Sequence, residues 1–139
     1  METKILESVE HSVLAIQKLK DPESLSFISR AAKMIADCYQ QEGKIIIAGN
    51  GGSLCDAAHF AEELTGFFRQ FRRALPAIAL TEPGHITCTG NDLGFNYIFS
   101  HYFGHAGVPL SSSLTSFGVM TVLMVSLSRQ KVKYLSLKS

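Results

Sequence analysis

Residues 44–53, Lys44-Ile45-Ile46-Ile47-Ala48-Gly49-Asn50-Gly51-Gly52-Ser53, decide how the rest of the chain is read. A short apolar run rich in β-branched residues and closed by glycine is the pattern of a strand buried on both faces, as in parallel sheets. The glycines let the chain turn sharply, and Ser53 with Asp56 three residues on has the form of a capping box that opens a helix. Leu54, Ala57, Ala61, Leu64 and Phe68 then recur at helical spacing, and a second apolar run, Ala77-Ile78-Ala79-Leu80, follows. Strand, helix, strand predicts a right-handed βαβ unit and places the chain in the α/β class.

Upstream, Ile5, Val9, Val13 and Ile16 share one helical face, with the polar Glu7 and Glu10 between them and Lys18 just after. Asp21-Pro22 supplies an N-cap and a proline at the first helical position, and Leu25, Ile28, Ala32, Ile35 and Tyr39 continue a stripe that Gly43 can end. Two helices are therefore expected before the first strand.

The chain has 139 residues, 13 basic against 12 acidic, and 46% hydrophobic residues, which suits one globular domain. A net charge of +1 offers no bulk attraction for nucleic acid or an anionic membrane, so neither is an expected partner. No stretch reaches the roughly 20 apolar residues of a membrane span, and the charged start is no signal peptide, so the expected location is the cytoplasm. Cys38, Cys55 and Cys88 form no CxxC pair and read as free thiols. Charge is uneven: all twelve carboxylates lie at or before Asp92, while 93–139 holds only Arg129, Lys131, Lys133 and Lys138. An ordinary stretch of that length holds about five acidic residues.

Four features carry chemistry. The turn Gly49-Asn50-Gly51-Gly52 between strand and helix can cradle an anion or sugar hydroxyls, or can be a tight turn and nothing more. It is neither a Walker loop, since Gly43-Lys44 precedes the strand, nor the dinucleotide GxGxxG. His59 and Glu63, four apart, line up with Cys55 opposite the apolar stripe. The pair suits one divalent ion such as zinc or is simply a solvated face, with Glu62 pointing elsewhere. Asn91-Asp92, after Gly90, can present an amide and a carboxylate at the carboxyl edge of the sheet, or can just break a helix. Arg69, Arg72 and Arg73 form either a solvated basic loop or a phosphate contact.

In combination, Ala48-Gly49-Asn50-Gly51-Gly52-Ser53, Asp56, His59-Phe60-Ala61-Glu62-Glu63-Leu64-Thr65-Gly66, Leu75-Pro76-Ala77-Ile78-Ala79-Leu80-Thr81 and Gly90-Asn91-Asp92 with Gly94-Phe95 resemble the phosphoheptose isomerase family of the sugar isomerase (SIS) superfamily. The resemblance runs from Met1 to about Ser100. It implies a three-layer αβα SIS domain with a parallel sheet and two N-terminal helices: 1–43 the helices, 44–100 the βαβ core with the site motifs, 101–139 a divergent tail. It implies conversion of sedoheptulose 7-phosphate to a mannoheptose 7-phosphate through an enediol, on the route to lipopolysaccharide heptose, in a zinc-dependent cytoplasmic tetramer with sites at subunit contacts. By the same resemblance Asn50, Gly51, Gly52, Asn91 and Asp92 bind substrate, His59 and Glu63 hold the metal, and Glu63 also binds substrate and serves as catalytic base.

The family continues with a third strand, a serine-rich phosphate loop and later helices that complete the metal and acid–base set, none of which is clear here. Gly104-His105-Ala106-Gly107 resembles the approach to that strand, yet Val108-Pro109-Leu110 and Ser111-Ser112-Ser113 do not continue it. One placement puts the strand at Val122-Leu123-Met124-Val125 with Ser126 and Ser128 on phosphate, although Arg129 then stands where glycine is needed. His85, His101 and His105 are weak substitutes for the absent histidine. The expectation is a truncated, frame-shifted or divergent end and a marginal, association-prone product. Two rivals stand beside the isomerase: a non-catalytic SIS protein that binds sugar phosphate or associates with a replication initiator, and a sugar-phosphate-sensing regulatory domain.

Overall fold

The computed structural model describes residues 1–105, 121–127 and 132–138. The elements are α1 (Glu2–Gln17), a 3-10 turn (Lys18–Lys20), α2 (Pro22–Gln40), β1 (Lys44–Ala48), α3 (Gly52–Thr65), β2 (Ala77–Ala79), α4 (Pro83–Asp92), a 3-10 turn (Phe95–Tyr97), α5 (Ile98–His105), β3 (Thr121–Leu127) and β4 (Val132–Lys138). The chain divides into two compact units, Met1–Ala36 and Asp37–Ser139. Among the described residues no helix is long and apolar enough to cross a membrane.

Both leading helices form where the stripes place them. In the first unit, α1 buries none of its residues, and Ile5, Val9, Val13 and Ile16 stay exposed. The Asp21 carbonyl accepts the Leu25 amide at 3.0 Å, which starts α2. The end of α2 differs from the expectation. Glu42, not Gly43, takes the left-handed conformation at φ 55°, and the Gly43 amide donates to the Cys38 carbonyl at 2.9 Å. This is a Schellman closure with its glycine one residue late.

In the second unit, β1 and β2 pair in parallel, Ile46 opposite Ile78, as the βαβ reading requires. Side chains alternate across a strand. Ile46 and Ala48 join Leu80, Ile98, Phe99 and Phe103 in one buried cluster with α5. Ile45 and Ile47, both fully buried, point to the opposite face, and α3 packs on the sheet through the small Ala57 and Ala61. Helices on both faces give the three-layer arrangement. Burying each such isoleucine contributes about 1.5–3 kcal/mol.

The strand order is β2-β1-β3-β4. β2 is thus an edge strand, and Ile78 is 43% exposed rather than enclosed. On the other side of β1 the sheet departs from the parallel pattern: β3 runs antiparallel to β1, and β4 antiparallel to β3. The apolar run 122–125 is a strand, but its direction is opposite to a third parallel strand.

Candidate functional site

The glycine turn forms because two of its positions tolerate little else. A Cβ on Gly49 would lie 2.4 Å from the Ser53 carbonyl oxygen, so the first turn of α3 closes directly over it. Gly51 has φ 54° and is the N-cap of α3. The expected capping box is absent. Ser53 is inside the helix and buried as part of the stripe with Ala57 and Ala61, and no side chain caps the helix start. The backbone does the capping: the Ser53 amide donates to the Asn50 carbonyl at 3.0 Å and the Leu54 amide to the Gly51 carbonyl at 3.1 Å. The amides of Gly51 and Gly52 make no hydrogen bond among the described residues, and both residues are exposed. Those two donors, beside Asn50 and at the positive end of α3, are what the turn offers an anion.

Down the same helix, His59 Nε2 and Glu63 Oε1 lie 3.3 Å apart, with the side chains 72% and 33% exposed. That is longer than the roughly 2.7–2.9 Å of a charge-assisted hydrogen bond. It is close to the spacing of two donors around one tetrahedral zinc, whose ligand bonds of about 2.0–2.2 Å set ligand atoms about 3.3 Å from each other. Glu62 was expected to point elsewhere, yet its carboxylate comes within 4.8 Å of the other two donor atoms. Its long side chain spans the 100° that separates adjacent helical positions. Imidazole and carboxylate oxygens fit zinc by donor chemistry, and together they offer three of four ligands. Cys55 is exposed and lies outside this group.

Asn91 and Asp92 form the last turn of α4 rather than a loop at the strand end. α4 starts beside the carboxyl end of β2, so Asp92 lies about 14 Å further along the helix axis at 1.5 Å per residue. The Asn91 amide donates to Asp92 Oδ1 at 2.8 Å, and Cys88 Sγ donates to Oδ2 at 3.3 Å. These two bonds, Asn91's first, hold the Asp92 carboxyl below the usual carboxylate range, and the same contact pushes the Cys88 thiol up. No hydrogen bond or ion pair joins Asn91 or Asp92 to His59, Glu63 or the glycine turn among the described residues.

His85 is satisfied where it stands. Its Nε2 lies 3.0 Å from the Ile98 carbonyl oxygen, with Tyr102 edge-on at 5.1 Å and His101 alongside at 6.3 Å. The cavity beneath it, bounded by Thr81, Glu82, Ile98 and Phe99, holds about 30 Å³, room for about one water and not for a sugar. Ser126, the candidate phosphate contact, is paired with Ile45 at the amino end of β1, the opposite end from the glycine turn. That placement removes it from the site. Ser128, Arg129, the serine run and Ala106-Gly107 lie outside the described residues.

In the arginine cluster Arg69 and Arg73 are exposed in the loop, as the solvated reading expects, and Arg72 departs from both readings. Arg69 stacks over Phe68 at 4.8 Å in an exposed loop, and Phe68, expected on the helical stripe, lies beyond the end of α3. Arg72 turns inward and donates to the carbonyls of Glu63 at 2.6 Å and Leu64 at 2.9 Å. Nothing in residue spacing marks it, because the partners are main-chain atoms.

Residues 10–107 match the SIS domain family. The chain is 49% identical over 89 residues to phosphoheptose isomerase of Vibrio cholerae, covering 64% of this chain and 47% of that protein. It is 44% identical over 117 residues to phosphoheptose isomerase of Escherichia coli, covering 81% and 61%. The solved phosphoheptose isomerase of Francisella tularensis superposes with a TM-score of 0.67 at 37% identity, over 76% of this chain and 55% of that one. The Neisseria gonorrhoeae structure gives 0.65 at 34%, over 76% and 54%. The chain thus spans about half the length of the relatives it matches. A parallel βαβ unit with a glycine turn feeding the helix that carries His59 and Glu63, matched across residues 10–107, means that the chain belongs to the SIS domain family.

Proposed function

We infer that the chain carries the metal-and-base part of a phosphoheptose isomerase site, acting on sedoheptulose 7-phosphate to give D-glycero-D-manno-heptose 7-phosphate in the heptose branch of lipopolysaccharide synthesis. The observation that carries this reading is the His59–Glu63 donor pair, 3.3 Å apart on the helix that leaves the glycine turn. The free amides of Gly51 and Gly52, with Asn50, receive the sugar phosphate, and Asn91 and Asp92 provide a second polar contact. His59 and Glu63 hold zinc, with Glu62 within reach. Zinc bound there would polarise the substrate carbonyl and ease loss of the neighbouring proton.

Glu63 is the base. Its carboxylate takes a proton from the hydroxyl-bearing carbon next to the ketone and returns it to the former ketone carbon; between the two steps the ketone oxygen gains a proton from solvent to complete the enediol, and the neighbouring hydroxyl gives one up to solvent as the aldehyde forms. One carboxylate serves both carbons because they are neighbours. With Glu63 Oε1 on the side of His59 Nε2, where both would face the metal, Oε2 is left for the proton. Self-association, to the tetramer that the family resemblance implies, is part of the reading; the apolar stripe of α1, which finds no cover within its own unit, supports it.

The competing reading, a SIS protein that binds sugar phosphate without turnover, is favoured by one observation: β3 runs antiparallel and carries Ser126 away from the glycine turn. Zinc-supplemented conversion of sedoheptulose 7-phosphate by the purified chain, beside its elution volume on a sizing column, separates the two. Conversion by a defined oligomer supports the isomerase. Tight sugar-phosphate binding by a folded chain without conversion supports the competitor and removes the isomerase.

A further inference from the structure

Among the described residues Arg72 forms no ion pair, yet its guanidinium makes four contacts, all to carbonyl oxygens. Nη2 donates to Glu63, and Nη1 to Leu64, to Arg73 at 3.0 Å and to Gly66 at 3.4 Å. The carbonyls at a helix end lack intrahelical partners and carry partial negative charge. In α3 the Glu62 carbonyl accepts the Gly66 amide at 2.7 Å, and Leu64 also accepts the Leu75 amide at 3.0 Å. Among the described residues the Glu63 carbonyl has only the guanidinium. A cation from the loop after the helix therefore closes the turn that carries two of the three donor side chains, and a planar fork can reach two successive carbonyls at once.

We propose that Arg72 is a positioning residue for the α3 donor set: by clamping the Glu63 and Leu64 carbonyls it fixes the last turn of the helix and thereby the aim of the Glu63 carboxylate at the His59 side. This rests on the reading of His59 and Glu63 as metal ligands. Arg72 touches neither metal nor substrate. It acts through the backbone of Glu63, so losing it frays the last turn and lets Glu63 swing away from His59, which sits one turn back on regular helix.

The test uses the full chain with zinc ion as the probe. Zinc affinity is measured by chelator competition for the wild type, Arg72→Ala, Arg72→Lys and Tyr39→Phe. Amide hydrogen exchange is followed in parallel at Gly66, Leu75 and the β1 amides. Arg72→Ala weakens zinc binding about tenfold, the usual loss when an outer partner of a ligand is removed. It also speeds exchange at Gly66 and Leu75 about tenfold while β1 keeps wild-type rates. Arg72→Lys recovers part of both, since an ammonium can hold one carbonyl. Tyr39→Phe, which loses a hydrogen bond to the Pro76 carbonyl but none to α3, keeps zinc affinity within about twofold. Unchanged zinc affinity and exchange in Arg72→Ala overturn the proposal, as does acceleration that spreads to β1 with Arg72→Ala and Tyr39→Phe equally weakened. If the wild type holds no zinc, the metal reading fails by itself, and exchange then decides Arg72: acceleration confined to Gly66 and Leu75 upholds the clamp, and its absence refutes it.

Discussion

The three glycines of the turn from β1 into α3 stand in different surroundings, so alanine at each has its own cost. At Gly49 the added Cβ would lie 2.4 Å from the Ser53 carbonyl oxygen, 2.5 Å from its carbonyl carbon and 2.9 Å from its Cβ, where ordinary contact begins at 3.4 Å. The obstructing atoms are mostly backbone in the first turn of α3, so relief requires moving the helix start by about 1 Å. Overpacking of that kind costs about 3 kcal/mol, the upper end for an inserted carbon. At Gly51 the space is open but φ is 54°, and an L residue there costs about 1 kcal/mol. At Gly52 space is open, φ is ordinary, and alanine gains about 0.5 kcal/mol by restricting the unfolded chain. Urea unfolding followed by circular dichroism reads all three. With a slope of about 1.5 kcal/mol per molar, the midpoint falls by about 2 M for Gly49→Ala and about 0.7 M for Gly51→Ala, and rises slightly for Gly52→Ala. A Gly49→Ala midpoint equal to wild type, or Gly52→Ala less stable than Gly51→Ala, would refute the account of the turn. The second comparison stands even if Gly49→Ala does not fold.

Three further substitutions test the local physics. Glu42→Gly, at the left-handed end of α2, raises stability by about 0.5–1 kcal/mol in the same unfolding assay, against the usual direction for a glycine substitution. Glu82 caps α4 by accepting the amides of His85 and Gly84, and those bonds lower its carboxyl pKa, so its contribution is present above the ordinary carboxylate value and is lost as pH falls through the folded one. Glu82→Ala therefore melts below wild type at neutral pH, and the gap closes in acid; a gap that persists there contradicts the cap. Burial pushes the Tyr39 phenol up to about 12, with Cys38 adding and Arg72 opposing. A raised value in the folded state means stability intact below about 10 and lost as pH rises toward about 12. Tyr39→Phe lacks that loss, and parallel pH profiles for the two proteins would disprove it.

How far the sequence foretold this molecule varies with the kind of signal. β1, α3 and β2 were legible because burial imposes a period, and Ile45 to Ala48 followed by Ala57 and Ala61 leave little room for another reading. The His59–Glu63 pair was legible because helical spacing alone brings positions four apart together. What failed depended on main-chain atoms or side-chain reach. Ser53 reads as a cap, yet Gly51 holds that position and Ser53 is buried; Gly43 reads as the stop of α2, yet Glu42 takes the strained conformation. Glu62 bends toward a face that an ideal helical projection denies it, and Arg72 recognises carbonyls that every residue possesses. Strand direction is equally silent in composition: the run 121–127 is apolar enough to be a strand either way, and only its pairing with β1 shows it to be antiparallel.

The central claim is that Glu63, held beside His59, removes a proton next to a sugar-phosphate carbonyl. The most direct measurement is solvent exchange: the zinc-supplemented chain is incubated with sedoheptulose 7-phosphate in deuterium oxide, and deuterium at the carbon next to the ketone is read by NMR. This detects proton removal even where the later steps of isomerisation are slow. The account predicts incorporation with the wild type and none above background with Glu63→Gln, which keeps the shape of the side chain and loses the base. No incorporation by a folded wild-type chain that binds zinc, or equal incorporation by both proteins, would contradict it.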